Sequence, residues 1–149
     1  MTPSNPMCLV NVYREPTAIA VLYALLQQRP EEARISHHAM PTYQQHIAFV
    51  KAIPYRMWFL IRVDGEFVGD LHATELNEIG VFLFRKHRGK GYGAQAVKLF
   101  MVRHKPLAAI PAKRVRRWVA HIAPENDAGA SFFRKLGFKK VQESWISAS

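Results

Sequence analysis

Six consecutive residues, Arg88-Gly89-Lys90-Gly91-Tyr92-Gly93, carry the clearest chemical signal in the chain. Their glycines let the backbone turn through positive φ and bring amide hydrogens close to a ligand. A mostly apolar run, Glu78 to Phe84, stands just before this segment, and a helix-patterned run starts at Gly91. The amides therefore converge where a helix begins, and unpaired N–H groups and the dipole there favour anions. Such a nest suits a pyrophosphate. The spacing is not that of a Walker loop, because no Gly-Lys-Ser/Thr closes a four-residue gap. The full dinucleotide fingerprint is absent too, and no βαβ unit precedes the turn.

Histidines gather between residues 37 and 46, at His37, His38 and His46, but without an established zinc spacing. The single cysteine, Cys8, offers them no thiolate, so no metal is expected. It has no partner within the chain for a disulfide either, which is the usage of a reducing compartment.

The elements that must position the turn follow from periodicity. Met7 to Arg14 reads as a first strand. Pro16 opens a helix with Ile19, Leu22, Tyr23 and Leu26 at helical spacing, ending before Pro30. A second helix starts at Pro41-Thr42, with Tyr43, Ile47 and Val50 on one face, and stops before Pro54. Arg56 to Val63 and Glu66 to Thr74 form a hairpin about Asp64-Gly65. Glu78 to Phe84 is a central strand. Gly91 to His104 is a helix with Ala94, Val97, Lys98 and Met101 inward. Val115 to Ile122 is a strand, Asn126 to Leu136 a helix closed by Gly137, and Phe138 to Trp145 a last strand. The order βααβββαβαβ is that of an α/β (α+β) fold. At 149 residues the chain, 1–149, fits a single domain.

Charge is distributed unevenly. Residues 1–84 hold six Lys/Arg against eight Asp/Glu, whereas residues 85–149 hold fifteen against three. The net of −2 in the first part and +12 in the second sets a positive field over one half, suited to a phosphate-bearing ligand or a nucleic acid. No stretch approaches the ~20 apolar residues of a membrane span. The apolar run Ala18 to Leu26 follows Glu15 and Pro16 rather than a basic region, so it is a core helix and not a signal peptide. The chain is expected to be cytoplasmic, away from membranes, and a monomer or homodimer.

Arg88, Gly91 and Gly93 match Arg-x-x-Gly-x-Gly, the acetyl-CoA signature of the GNAT superfamily of acetyltransferases, which this region resembles. A second segment, Pro124 to Phe138, is similar to the family's strand, Asn, short helix and Leu-Gly-Phe close, through Asn126, Leu136, Gly137 and Phe138. The resemblance covers roughly residues 7–146. It implies a mixed, mostly antiparallel sheet flanked by four helices, splayed between its fourth and fifth strands, 78–84 and 115–122, with the pantetheine arm in the opening. It implies acetyl-CoA as co-substrate, no metal, and cofactor contacts from Leu83, Arg88, Gly89, Lys90, Gly91, Tyr92, Gly93, Asn126 and Phe133.

Three roles follow from the same resemblance. The backbone N–H of Leu83 is the expected donor to the thioester oxygen. Glu78 matches the strand-borne glutamate that many members use as a base, with Asp70 and His72 on the preceding strand as alternatives. Many members carry a tyrosine seven residues after the helix Asn, but this chain has Phe133, which cannot donate a proton; Ser131, Tyr92 and water remain as donors. Acceptor recognition is implied for the region around the first two helices, with Tyr43, Asp70 and His72 as substrate contacts and Trp58 as core. The acceptor is expected to be a small amine, phosphorylated or linked to a sugar nucleotide. Two alternatives are a macromolecular amine held by Lys113, Arg114, Arg116, Arg117, Lys139 and Lys140, and a CoA- or nucleic-acid-binding module without catalysis.

Overall fold

The computed structural model describes residues 6–29 and 39–148; His37 and His38 lie outside the described residues. Among the described residues, four strands form an antiparallel sheet in the order β1-β2-β3-β4: β1 Cys8–Asn11, β2 Met57–Val63, β3 Glu66–Ala73 and β4 Ile79–Leu83. Four helices flank it: α1 Ala18–Gln28, α2 Tyr43–Lys51, α3 Tyr92–Arg103 and α4 Asp127–Lys135. This is the mixed α/β class, with antiparallel sheet and four helices, expected from the sequence. No helix among the described residues is long and apolar enough to cross a membrane.

The period of two along a strand divides the side chains into two layers. Leu60 pairs with Asp70 and Asp70 with Phe82; Trp58 pairs with His72 and His72 with Gly80. These six share the face covered by α1 and α2, where Leu22, Leu25, Val50, Trp58 and Leu60 are buried. Ile61, Leu71, Ala73 and Ile79 face the other way, into a cluster with Val97 and Phe100 of α3, Trp118, and Phe133 of α4. Both faces of β4 are thus covered by helices, which is why its sequence is apolar throughout.

Several expectations need correction. The first strand is short, Cys8–Asn11, because Val12–Arg14 turn into a 3-10 segment after the Asn11 side chain accepts the Tyr13 N–H. β4 is not central but the last paired strand of the sheet. Val115 to Ile122 forms no strand: one parallel bridge joins Val119 to Glu78. There Val119 N–H donates to Asn77 O and Ile79 N–H to Val119 O, each at 2.8 Å. Phe138 to Trp145 forms no strand either, since the 115–122 segment offers it no ladder to join; Val141 and Trp145 are exposed. On α3 the buried side is Gly93, Ala96, Val97 and Phe100, and Met101 is exposed. Both sets fit a 3.6-residue period, and the one carrying the aromatic ring turns inward because it buries more apolar area.

Asn77 anchors the point where the sheet gives way to the long 104–119 connection. It is fully buried, with φ of 63°. Its Nδ2 donates to Leu107 O at 3.0 Å and Val115 O at 2.8 Å, and its Oδ1 accepts Leu107 N–H at 2.8 Å. Asparagine tolerates the left-handed backbone, and every polar atom of this buried amide is used.

Candidate active site

The glycine-rich turn lies where the sequence places it. Phe84 leads into a 3-10 turn, Arg85–His87, and α3 then starts from Gly91. Gly89 and Gly91 take φ of 76° and 83°, a left-handed conformation that costs a residue with a Cβ about 1 kcal/mol or more. No side chain caps the start of α3, so its first amides have no side-chain acceptor. The loop is held from three sides. Arg85 N–H donates to the Gln28 side chain of α1 at 2.8 Å, Lys86 pairs with Glu66 at 2.6 Å, and Arg88 Nε donates to Leu83 O at 3.2 Å. The Arg88 guanidinium also lies 4.9 Å over the Phe82 ring. Lys90 and Tyr92 stand on the same turn, and a Cβ on Gly93 would come within 3.1 Å of Phe132 on α4.

Beside the loop the sheet opens. On the β3 side, Thr74 N–H donates to Glu78 O and Phe84 N–H to Val68 O. In an antiparallel ladder such groups alternate, so the even-numbered residues of β4 bond to β3 and the odd ones face outward. Ile79 uses that direction to reach Val119. No backbone bond continues the pairing from Val81 or Leu83 to the 119–123 segment. The N–H of Leu83 therefore points away from β3, toward the side of β4 that carries the Val119 bridge, a few residues before the glycine-rich turn. Left-handed glycines, an uncapped helix start and outward amides suit a pyrophosphate with an extended arm, so the residues present fit acetyl-CoA.

A pocket of about 500 Å³ lies on the other side of β4, under α1 and α2. Leu22, Leu25, Met40, Phe49, Tyr55, Trp58 and Phe82 line it, with Asp70 and His72 on its floor. Asp70 Oδ2 accepts the Trp58 indole N–H at 2.9 Å. Desolvation raises the Asp70 pKa to about 6, against the lowering effect of the Trp58 bond and Arg29. Desolvation, with Arg29 adding to it, lowers the His72 pKa to about 4, so this ring is neutral at pH 7. It stacks on Tyr55 at 4.1 Å. Gly80 makes this possible, since a Cβ there would stand 2.4 Å from His72 Cε1.

The other expected site residues lie elsewhere. Glu78 is outside the pocket lining; its Oε1 accepts the Thr74 hydroxyl at 2.8 Å, and Oε2 is 2.5 Å from His121 Nε2. Tyr43 is 42% exposed and packs edge-on against Tyr23, away from the pocket lining. Asn126 caps α4, its Oδ1 accepting Gly129 N–H at 3.0 Å. Phe133 is buried between Phe132 and Phe138 in the α3–α4 core. Sequence reasoning passed over Arg29, Phe82 and His121. Phe82 was legible, since it shares the parity of Glu78 and Gly80 on β4. Arg29 and His121 reach their places through tertiary packing alone. Among the described residues, no three of His, Cys, Asp or Glu gather to hold a metal ion.

The family model described as the acetyltransferase (GNAT) domain matches residues 12–139. An N-acetyltransferase 9-like protein of Nematostella vectensis is 35% identical over 77 residues, covering 52% of this chain and 35% of that protein. That stretch is about a third of the relative's length. An acetyltransferase from Thermus thermophilus superposes with a TM-score of 0.68 at 20% identity, over 93% of this chain and 90% of that one. The aminoglycoside N-acetyltransferase AAC(6')-Iy, solved with CoA, superposes with a TM-score of 0.67 at 17% identity, over 99% and 97%. The family model spans strands β2 to β4 of the sheet, the glycine-rich turn at the start of α3 and the capped helix α4, and this chain belongs to the GNAT acetyltransferase family.

Proposed function

We propose that this chain is an N-acetyltransferase that moves an acetyl group from acetyl-CoA to the primary amine of a small acceptor. The observation that supports the reading is that one strand, β4, leads into the glycine-rich turn and also borders the pocket. Leu83 ends that strand just before the turn, and the acceptor pocket reaches the same strand at Gly80, Val81 and Phe82. Bound acetyl-CoA supplies an activated acyl carbon and a thiolate leaving group.

Within that reading each residue has a physical task. Gly89, Gly91 and Gly93 shape the anion nest, and Arg88 and Lys90 add positive charge. The Leu83 N–H, fixed by the strand, favours an oxygen on which negative charge grows, at no cost of reorganisation. Asn126 and Phe133 act from behind, setting the start and inner face of α4 against α3. Because Phe133 is apolar and buried, thiolate departure relies on its own acidity, near pKa ~8.5 for a thiol, and on solvent.

The charge of the C-terminal half supports a phosphorylated or sugar-linked acceptor, whereas the pocket lining supports an unphosphorylated one. A pocket rather than a flat basic surface also favours a small acceptor over a macromolecule. Arg114, counted toward that surface, is tied to Ala108 O at 2.7 Å and Glu75 O at 2.9 Å. Thermal unfolding with acetyl-CoA tests the reading. At 100 times its dissociation constant, acetyl-CoA adds about 2.7 kcal/mol, a Tm rise of roughly 5–10 °C for a domain of this size. Gly93→Glu should abolish the rise, and NAD and ATP should give none.

A further inference from the structure

The acceptor pocket has one carboxylate among its described lining residues, Asp70, and most of its wall is apolar or aromatic. The charged and titratable groups that face Asp70 come from every surrounding element. Arg29, at the end of α1, lies 5.6 Å over the Phe82 ring. His46 of α2 is bound through Nε2 to Ile19 O, and burial lowers its pKa. On β3 itself His72 is neutral at pH 7. Burial raises the Tyr55 phenol pKa, with the Asp70 charge adding to it. Asp70 is thus the only anion on the described lining; the Trp58 indole edge meets it through its N–H, and Tyr55, Phe82 and the cationic Arg29 line the same pocket. A carboxylate in a mostly apolar pocket receives an ammonium ion through charge-assisted hydrogen bonds. A phosphate at the same floor would meet the charge of Asp70.

The position of Asp70 suits chemistry as well as binding. In the ladder it stands opposite Phe82, so it is one strand, about 4.8 Å, from the line of β4. The outward N–H groups of Val81 and Leu83 lie on that line. Glu78, by contrast, already has both oxygens engaged, by Thr74 and His121, outside the pocket.

We propose that Asp70 receives the acceptor's ammonium group and takes its proton, and that the acceptor is a small primary amine on an apolar or aromatic body without phosphate. This rests on the acetyltransferase reading above. The ammonium gives one proton to the Asp70 carboxylate, and the freed nitrogen lone pair forms the C–N bond to the thioester carbonyl carbon. The C–S bond breaks, its electron pair leaving with sulfur. The nitrogen's second proton reaches the thiolate through solvent, giving amide and CoA thiol, and Asp70 returns its proton to water. Burial that raises this carboxyl to about 6 makes it a stronger base than a solvated aspartate.

The experiment measures thiol release from acetyl-CoA with phenethylamine, glucosamine phosphate and spermidine, alongside thermal shifts. Phenethylamine should give a kcat/KM at least about tenfold above glucosamine phosphate. Asp70→Asn keeps an acceptor for the Trp58 N–H. It should lower kcat/KM for the amine by about 10²-fold or more, leave the KM for acetyl-CoA unchanged, and remove an acidic limb near pH 6. A preference for glucosamine phosphate or spermidine, or an unchanged rate and pH profile in Asp70→Asn, overturns the proposal while leaving acetyl transfer intact. No thiol release with any amine and no acetyl-CoA shift overturns both. If Asp70→Asn fails to fold, phenethylamine is compared with phenethyl alcohol on the unaltered protein. The amine should stabilise it at least about tenfold more effectively at pH 7, losing that advantage below the Asp70 pKa; equal effects refute ammonium recognition.

Discussion

Asp70 and His72 are two residues apart on β3, and burial moves both pKa values against the charged form, with opposite consequences for stability. Asp70 binds its proton more tightly folded, at about 6, than unfolded, at 3.8. Its stabilising effect is complete below about pH 4 and is lost as pH rises through 6, amounting to roughly 3 kcal/mol at 1.36 per unit. Asp70→Asn should therefore raise Tm at pH 8 and leave it nearly unchanged at pH 4; a lower Tm at pH 8 would contradict the burial argument. His72, lowered to about 4, instead costs stability as pH falls below 6.5. Gly80→Ala drives a methyl into that imidazole, at an expected cost of about 1–3 kcal/mol. It should raise the acceptor KM while leaving acetyl-CoA affinity alone, which steady-state kinetics would resolve. Glu78→Gln should keep the acidic limb of the pH–rate profile, because its carboxylate serves Thr74 and His121. Disappearance of the limb in that variant would return the base to Glu78.

At the scale of elements, the turn from β4 to α3 and the cap of α4 were legible because each is encoded locally. Glycines, an Asn before a helix and a Leu-Gly-Phe close act on their own neighbours. Segments 115–122 and 138–145 have the alternating, partly apolar pattern of strands, yet a strand exists only with a partner. A single bridge at Val119 provides none beyond Asn77 and Ile79. The inner face of α3 was misjudged for a related reason, since two sets of positions fit one period and only the docked neighbour chooses between them. Asp70 and His72 were read from the sequence only as alternatives to Glu78 on the preceding strand, and the ladder puts both on the face that carries the pocket. Tyr43 was placed on the right helix but on its exposed side. Asn77 was not visible as an anchor at all, because its three side-chain bonds reach residues 30 and 38 positions away. Asn77→Ala should cost about 3 kcal/mol or more by orphaning buried carbonyls. Hydrogen exchange should then speed up selectively in residues 104–119, and a uniform increase would argue against a local anchor.

Across the whole molecule, the charge of the C-terminal half and the chemistry of the pocket address different ligands. Arg88 and Lys90 belong to the glycine-rich turn, Arg114 braces the 104–119 connection, and Lys140 pairs with Glu143. What remains of the proposed basic surface, at Lys113, Arg116, Arg117 and Lys139, is exposed. Replacing these four by Gln should leave the acceptor KM unchanged, and duplex DNA should show no salt-dependent binding in a titration. A steep fall of affinity with salt would instead show phosphate contacts on this surface. The central claim is acetyl transfer between the two sides of β4. It is tested most directly by incubating the protein with acetyl-CoA and a panel of small amines and measuring acetylated product and free CoA thiol together. The account predicts the two in equal amounts, with loss of both in Gly93→Glu. Thiol release without acetylated amine, or neither product at millimolar acetyl-CoA, would contradict it.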